Sequence, residues 1–416
     1  MNVVLLAEVS AVSVIGGAER VLQEQALGLR RRGHDVRLVV RAPAGDERPM
    51  AMLGDMPEYR YPVSRTNEWA FVVRSLAGSV GAFDRAAAPG DTAGAPSVAV
   101  VHQSMAGFGP IMRRRRAMNG WVYICHSLAH EEFKSRTVPG ATWVERIRWR
   151  LNERMRYRVE HLVMRRCAGI VVLSEFMKTR VRQVHGIRES RIHVIPGAVD
   201  VQHFAPADDR GAVRSALGLP RERTILFTVR NLVPRMGLDK LIRAAADVRD
   251  AHKDVLLLIG GDGRLRGELQ RQIDEANVQE AVRLIGFVGE DDLPRYYQAA
   301  DLVLMPTHEL EGFGLVTVEA LACGTPVVGT PVGAIPEILT RIDPRLLAEG
   351  SEAEDLSAAI DRTLIRFRQE PQARARTAAR AREVVLAEYR WDINVARLEA
   401  VIRQTAEGRQ RKAEGG

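Results

Sequence analysis

Val3-Val4-Leu5-Leu6, then Gly16-Gly17-Ala18-Glu19-Arg20-Val21-Leu22, then Val36-Arg37-Leu38-Val39-Val40 set the fold of the first half of the chain. A short unbroken apolar run is what a strand buried on both faces looks like. After the glycine pair, apolar residues recur at Ala18, Val21, Leu22, Ala26 and Leu29, one face of a helix. Arg30-Arg31-Arg32 suit the negative end of its dipole, and Gly33 suits its stop. A second apolar strand follows at once. Strand, helix, strand is a βαβ unit, so the spacing predicts a parallel sheet with helices on both faces.

Working outward, apolar strands return at Val98–Val101, Val122–Cys125 and Gly169–Leu173, with a long helical pattern at 141–167. The stretch 43–96 is rich in Gly, Pro and Ala and shows no period. Pro196, Gly197, Pro206, Gly211, Gly218 and Pro220 then punctuate a polar segment, which marks a domain boundary. A second α/β series follows, with strands expected at 224–229, 255–259, 282–285, 301–305 and 326–329. The expected division is 1–198 for an N-terminal Rossmann-like domain and 199–385 for a second one. Residues 386–416 are expected to be a helix returning to the first domain, ending in a frayed tail. Two such domains facing one another would form a cleft at the carboxyl ends of their strands, where ligands bind in open α/β sheets.

Composition narrows the class. With 416 residues, 46% hydrophobic and 27% charged, the chain fits a globular protein of two or three domains. The net charge of +8 rests almost wholly on arginine, since only five lysines occur. That charge favours phosphorylated substrates or an acidic membrane surface over nucleic acid. Three distant cysteines, Cys125, Cys167 and Cys323, offer no CxxC pair, which argues against structural zinc and disulfides and fits a reducing compartment. Glu8 and the lack of a basic start argue against a signal peptide. No apolar run approaches the ~20 residues of a membrane span. A cytoplasmic location is expected, either in solution or peripheral at the inner face of the membrane.

The candidate site residues cluster where strands end. Gly16 and Gly17 would let backbone N–H groups approach an anion at a helix start, or would merely supply a positive φ. Gly260-Gly261-Asp262-Gly263 lacks the third glycine of a dinucleotide loop and reads as a turn close to a ligand. Glu311-Gly-Phe-Gly-Leu-Val-Thr-Val-Glu319 places two carboxylates around a glycine-rich helix start that favours phosphate. The alternative is a solvated Glu319 and a Glu311 that only suits the dipole. Arg230 and Arg235 follow the strand Ile225–Val229 and could neutralise a departing diphosphate. His102 and His126 each follow a strand, and the lack of a third ligand at metal spacing speaks against metal ligation there.

Together these segments resemble family 4 of the GT-B glycosyltransferases, also called glycosyltransferase group 1. The matched segments are Gly-Gly-Ala-Glu-Arg at 16–20, Arg-Gly-His-Asp-Val at 32–36, Ile-Cys-His-Ser at 124–127 and Val-Leu-Ser-Glu at 172–175. Val-Ile-Pro-Gly-Ala-Val-Asp at 194–200, Arg230–Gly237, the glycines at 260–263, Ile-Gly-Phe-Val at 285–288 and the Glu311–Glu319 pair continue the series. The resemblance implies two Rossmann-like domains and a retaining transfer of a hexose-type sugar from a nucleotide-diphosphate donor to a hydroxyl acceptor, with neither cofactor nor catalytic metal. It implies that Gly17 contacts the donor diphosphate, His126 stands near the transferred sugar, and Arg230 binds the diphosphate. Glu311 would grip the sugar and Glu319 the ribose, while Phe313, Gly314 and Leu315 lend N–H groups and Val288 borders the base. His102 would lie on the acceptor side.

Three positions depart from the family's pattern. Met236 replaces its usual lysine, with Arg235 adjacent; Gly197 replaces an asparagine; Ala334 replaces a second glycine. A non-catalytic relative that binds nucleotide or glycan, a nucleotide-sugar epimerase or a phosphorylase are the rival expectations. In the 141–167 segment Arg146, Arg150, Arg154 and Arg158 form one stripe beside Ile147, Leu151, Met155 and Val159, with Trp143 and Trp149 nearby. That pattern suits either an anionic membrane surface or a helix packed on its own domain with its arginines in water. Arg113–Arg116 is a further basic run, and a lipid-linked or phosphorylated acceptor would suit both.

Overall fold

The computed structural model describes residues 1–13, 16–46, 48–63, 68–88, 95–137 and 139–414; of the glycine turn, Ile15 lies outside them, as do the last two residues of the tail. The chain divides into two compact units. Unit 1 comprises Met1–Lys134, Val138–Gly197 and Trp391–Gly416; unit 2 comprises Ser135–Thr137 and Ala198–Arg390.

Unit 1 holds β1 (Asn2–Ala7), β2 (Asp35–Arg41), β3 (Met50–Leu53), β4 (Met56–Tyr61), β5 (Ser97–Val101), β6 (Gly120–Cys125), β7 (Gly169–Val172) and β8 (Ile192–Val194). They form one sheet in the order β3-β4-β2-β1-β5-β6-β7-β8. Every pairing is parallel except that of β3 with β4. The hairpin β3–β4 and the helix Glu68–Ala86 occupy the stretch whose sequence showed no period. β3 alternates exposed and half-buried residues at the sheet edge, so it carries little of the apolar signal that marks the central strands.

The strand order reverses between β1 and β5, since the chain winds outward to one side through β2 and then to the other through β6. Such a switch point opens a crevice at the carboxyl ends of the two strands. Both faces of the sheet are covered. One core contains Leu6, Phe83, Val101, Trp121 and Val163; the other contains Leu5, Leu22, Leu38, Val100 and Leu398.

Leu398 belongs to the last helix, Trp391–Glu414. This helix packs close because glycines receive it: a Cβ at Gly28 would meet Val395 Cγ2 at 2.5 Å, and one at Gly120 would meet Thr405 Cγ2 at 2.2 Å. Glu399 fastens it, pairing with Arg32, with His34 Nε2 at 3.0 Å and with Arg403 Nη2 at 2.6 Å. Burial pushes the Glu399 carboxyl up, but these donors win and hold it at about 2. The helix Pro371–Glu388 ends inside unit 2, so the chain changes unit at Arg390–Trp391 and not at 386.

Unit 2 holds β9 (Thr224–Val229), β10 (Val255–Gly260), β11 (Val282–Gly286), β12 (Leu302–Met305) and β13 (Val327–Gly329). All are parallel, in the order β11-β10-β9-β12-β13. The reversal here falls between β9 and β12. All three cysteines are buried and free.

Candidate active site

In unit 2 the loops after β9 and β12 meet over the switch point. Arg230 follows β9, and its side chain is 6% exposed. Its Nη2 donates to Thr307 Oγ1 at 2.8 Å and also pairs with Glu311 Oε2, while Nη1 lies 3.8 Å from Met305 Sδ. Thr307 Oγ1 in turn donates to Glu311 Oε2 at 3.3 Å. A desolvated ion pair of this kind persists only when its remaining donors and acceptors find partners. Here one is open: Arg230 Nε is buried without a partner among the described residues. Thr307 had no signal in the sequence, because its role depends on β12 lying beside β9.

Backbone geometry fixes this pair from three sides. Arg230 N–H donates to Gly260 O at 3.0 Å and Leu232 N–H to Asp262 O at 2.9 Å, which extends the β9–β10 ladder past the strand ends. The Gly261 N–H is already spent on Gly286 O at 2.7 Å. Gly261 has φ +118, and a Cβ there would lie 1.9 Å from the Arg230 carbonyl oxygen. The close approach this turn allows is therefore between two stretches of its own chain. Gly333, φ +63, presses on the Glu311 carbonyl in the same way, at 2.1 Å from a built Cβ. Ala334 next to it is helical, with φ −87, and its N–H donates to Glu311 O at 3.0 Å, so alanine is tolerated where glycine is usual.

Arg235 braces the same loop. Its Nη1 donates to Leu310 O at 2.8 Å, and its carbonyl accepts from His308 and Glu309. Leu310 sits at φ +56, a conformation that a branched residue holds only under tertiary restraint. Met236, in place of the usual lysine, is only 5% exposed, at the end of the short turn Pro234–Met236. The nearest lysine in sequence, Lys240, is engaged with His308 Nδ1 at 3.0 Å and Glu352 at 2.6 Å.

The helix Leu315–Ala322 starts from Gly314, which is left-handed at φ +86 and makes no side-chain cap. Phe313 is buried, its ring 5.6 Å from that of Tyr389. Leu315 is half-buried at the first helical position. Thr317 Oγ1 is buried without a partner among the described residues, 3.2 Å from a Cβ built on Gly314. Glu319 is not solvated: it is 4% exposed and accepts from Tyr297 Oη at 2.9 Å. Val288 lies beyond β11 and packs over Gly260.

In unit 1, Gly16 and Gly17 open the helix Gly17–Arg31 after β1, without a side-chain cap. Gly16 is extended, at φ −154, so the turn does not use a left-handed glycine. Glu58 and Arg60 of β4, both buried, hold the preceding loop: Glu58 accepts from Ser10 Oγ and from Ala11 N–H, each at 2.8 Å. Neither residue has a signal in the sequence, since both lie in the stretch without a period.

His102 and His126 come together at the ends of β5 and β6, with His126 Nε2 3.3 Å from His102 Nδ1 and the rings stacked at 5.5 Å. Burial holds His126 down at about 4, and it pushes His102, which also feels its neighbour, well below the usual imidazole range. Both are neutral near pH 7. A cavity of about 820 Å³ lined by Arg115, Arg116, Arg165, Arg166 and Arg191 opens at the opposite, amino ends of β6 and β7, and none of the candidate residues line it.

Residues 209–384 match the family model described as glycosyl transferases group 1, and residues 15–203 match that of glycosyltransferase family 4. Among curated relatives, a GDP-mannose-dependent monoacylated alpha-(1-6)-phosphatidylinositol monomannoside mannosyltransferase of Corynebacterium glutamicum is 33% identical over 56% of this chain and 61% of its own. A D-inositol 3-phosphate glycosyltransferase of Mycobacterium sp. (strain KMS) is 35% identical over 50% of this chain and 47% of its own. The chain thus spans about half to three-fifths of these relatives' length. Among solved structures, sucrose-phosphate synthase from Thermosynechococcus elongatus superposes with a TM-score of 0.76 at 21% identity, covering 97% of this chain and 98% of that one. Anabaena HepE, in complex with UDP and glucose, superposes at 0.71 with 20% identity, covering 98% and 99%. Two Rossmann-like units, each matched by a glycosyltransferase model, place the chain among the GT-B glycosyltransferases of group 1, to which it belongs.

Proposed function

We propose that the chain transfers a hexose-type sugar from a nucleotide-diphosphate donor to a hydroxyl acceptor, with retention at the anomeric carbon, during synthesis of a glycan, glycolipid or polysaccharide. The observation that carries this reading is the Arg230–Thr307–Glu311 cluster at the switch point of unit 2. As a sugar leaves a diphosphate, negative charge grows on the departing phosphate. A permanently charged, water-poor guanidinium with an unspent Nε suits that charge. Glu311, held from both sides, takes sugar hydroxyls; Glu319 takes the ribose. The N–H groups of Phe313, Gly314 and Leu315 are assigned to binding phosphate, and those of Gly16 and Gly17 are assigned a donor contact of their own. Neutral His126 hydrogen-bonds the transferred sugar, and the departing phosphate accepts the acceptor's proton. Positive charge comes from Arg230 and the amides, so the scheme asks for no catalytic metal.

The names of the two relatives carry phosphorylated inositol acceptors. That supports a phosphorylated or lipid-linked acceptor for this basic chain. A thermal-shift panel of nucleoside diphosphates and their sugars tests the donor half: one base should stabilise selectively, and no response to any of them would sink the proposal.

We further propose peripheral contact with an anionic membrane. Among the described residues no helix is long and apolar enough to cross one. In the helix Trp143–Arg166, however, Trp143 is 72%, Val144 46%, Ile147 45% and Leu151 58% exposed, with Arg146, Arg150 and Arg154 also in water. The far end of the helix is packed, with Val159 and Val163 in the core, so only its first half presents this face. Vesicles rich in anionic lipid should sediment the wild type and release a Trp143→Ser, Leu151→Ser double variant. Equal binding of neutral vesicles would remove the anionic surface from the account, and binding of neither kind would remove the membrane.

A further inference from the structure

Three helices, Ala129–Arg136, Trp143–Arg166 and Glu175–His185, bring together side chains of unit 1 that the transfer scheme does not use. His130, Glu160 and His185 each offer one ligand atom, and these atoms all lie within 4.8 Å of one another. Glu160 is fully buried. Its Oε1 accepts from Tyr123 Oη at 2.8 Å; its Oε2 accepts from Ala129 N–H at 3.0 Å and stands 3.3 Å from His185 Nε2. Among the described residues no lysine or arginine pairs with this carboxylate; the basic side chain that does is His185. A buried carboxylate is stable only beside a cation or a full set of donors, and buried charges are either paired or coordinate metals.

The nitrogens around it are underused. Nδ1 of His130, of His161 and of His185 are all buried without partners among the described residues. Tyr157 stacks on His185 at 4.9 Å and on His161 at 5.7 Å, which walls the cluster on one side.

We propose that His130, Glu160 and His185 bind one divalent transition-metal ion, with zinc the best match to two imidazoles and a carboxylate. Ligands about 2.1 Å from a tetrahedral ion stand about 3.4 Å apart, close to the observed separation of His185 Nε2 and Glu160 Oε2. The ligand atom of His130 lies within 4.8 Å of both. The fourth position falls to His161 or to water. Tyr123 and the Ala129 amide orient the carboxylate, as outer-shell partners do in metal sites. The ion would join three helices to one another, and His130, in the first turn of its helix, lies four residues after His126. Its role is therefore to position the segment that carries His126, apart from sugar transfer itself. Its failure and that of the transfer reading are distinguishable, because the readout is metal content.

The full chain, stripped with chelator, is incubated with Zn²⁺ or Co²⁺ alone and desalted. About one equivalent should be retained, Co²⁺ should give the intense visible bands of a tetrahedral site, and Tm should rise by about 5–10 °C at a hundredfold excess over Kd. His130→Ala, at a half-buried position in a first helical turn, should keep its circular dichroism and lose the ion and the Tm rise. His185→Asn should do the same, while His193→Asn, outside the cluster, should retain both. No retained metal in the wild type, or equal retention in His130→Ala, overturns the proposal.

Discussion

Arg230 with Glu311 in unit 2, and His102 with His126 in unit 1, both stand at the carboxyl ends of parallel strands and both are largely withdrawn from water. The two pairs meet the cost of burial in opposite ways. The first keeps both charges, with Thr307 and the backbone of neighbouring loops sharing the load. The second gives up charge, since desolvation pulls both imidazoles below their ordinary range. A retained ion pair fails abruptly when one partner is removed, whereas a neutralised pair fails gradually with pH. The contrast can be broken at three points.

The largest effect is expected from Glu311→Gln. It leaves the Arg230 guanidinium buried beside a neutral amide and removes the carboxylate proposed to grip the sugar. Loss of kcat/KM by about 10²–10³-fold or more is expected, the scale of losing one preorganised electrostatic contact. Unchanged turnover with the donor that the thermal-shift panel selects would remove Glu311 from the transfer scheme.

Next comes Gly333→Ala. The added Cβ would lie 2.1 Å from the Glu311 carbonyl oxygen, at a left-handed φ of +63. Destabilisation of about 2 kcal/mol or more is expected, from strain combined with backbone displacement. Urea denaturation reads the first effect; donor affinity reads the second. Ala334→Gly, one residue on, should stay within about 1 kcal/mol of wild type, because residue 334 is already in helical backbone.

The smallest effect belongs to the histidine pair. His126 is held at about 4 in the native state against an ordinary value of 6.5. Between those values the unfolded chain binds more protons than the native one, so stability falls as pH drops through 6.5 towards 4 and is fully present above 6.5. At pH 5, partway into that window, the loss from this group is at most about 2 kcal/mol. Denaturation at pH 7.5 and pH 5 should show a smaller loss for His126→Asn than for the wild type; an equal loss would show that His126 does not titrate in this way.

Much of this was legible in the chain itself. Both parallel sheets follow from apolar runs separated by helical periods, and β9 to β13 fall where those runs placed them. The central strands are easy because they are buried on both faces and need no partner to be recognised. β3 and β4 are not, because a half-exposed edge hairpin has neither a pure run nor a clean alternation. The same logic divides the site. Glu311, Glu319 and the glycines announce themselves as local motifs. Thr307, Tyr297, Glu58 and Arg60 become visible only once distant strands lie side by side, since a lone threonine or a buried arginine has no sequence signature. His130, Glu160 and His185 were hidden for the same reason, being drawn from three helices far apart in the chain.

The last helix has a temporal consequence. Nearly two hundred residues of unit 2 are made between Gly197 and Trp391, so unit 1 must wait for its closing element. At ribosomal speeds that interval is roughly 10–40 s. For that time the apolar surface around Leu5, Leu22 and Val100 lacks its cover, while unit 2 can already have folded. The nascent protein therefore passes through a stage with one finished half and one sticky half, the stage at which a chaperone would be most needed.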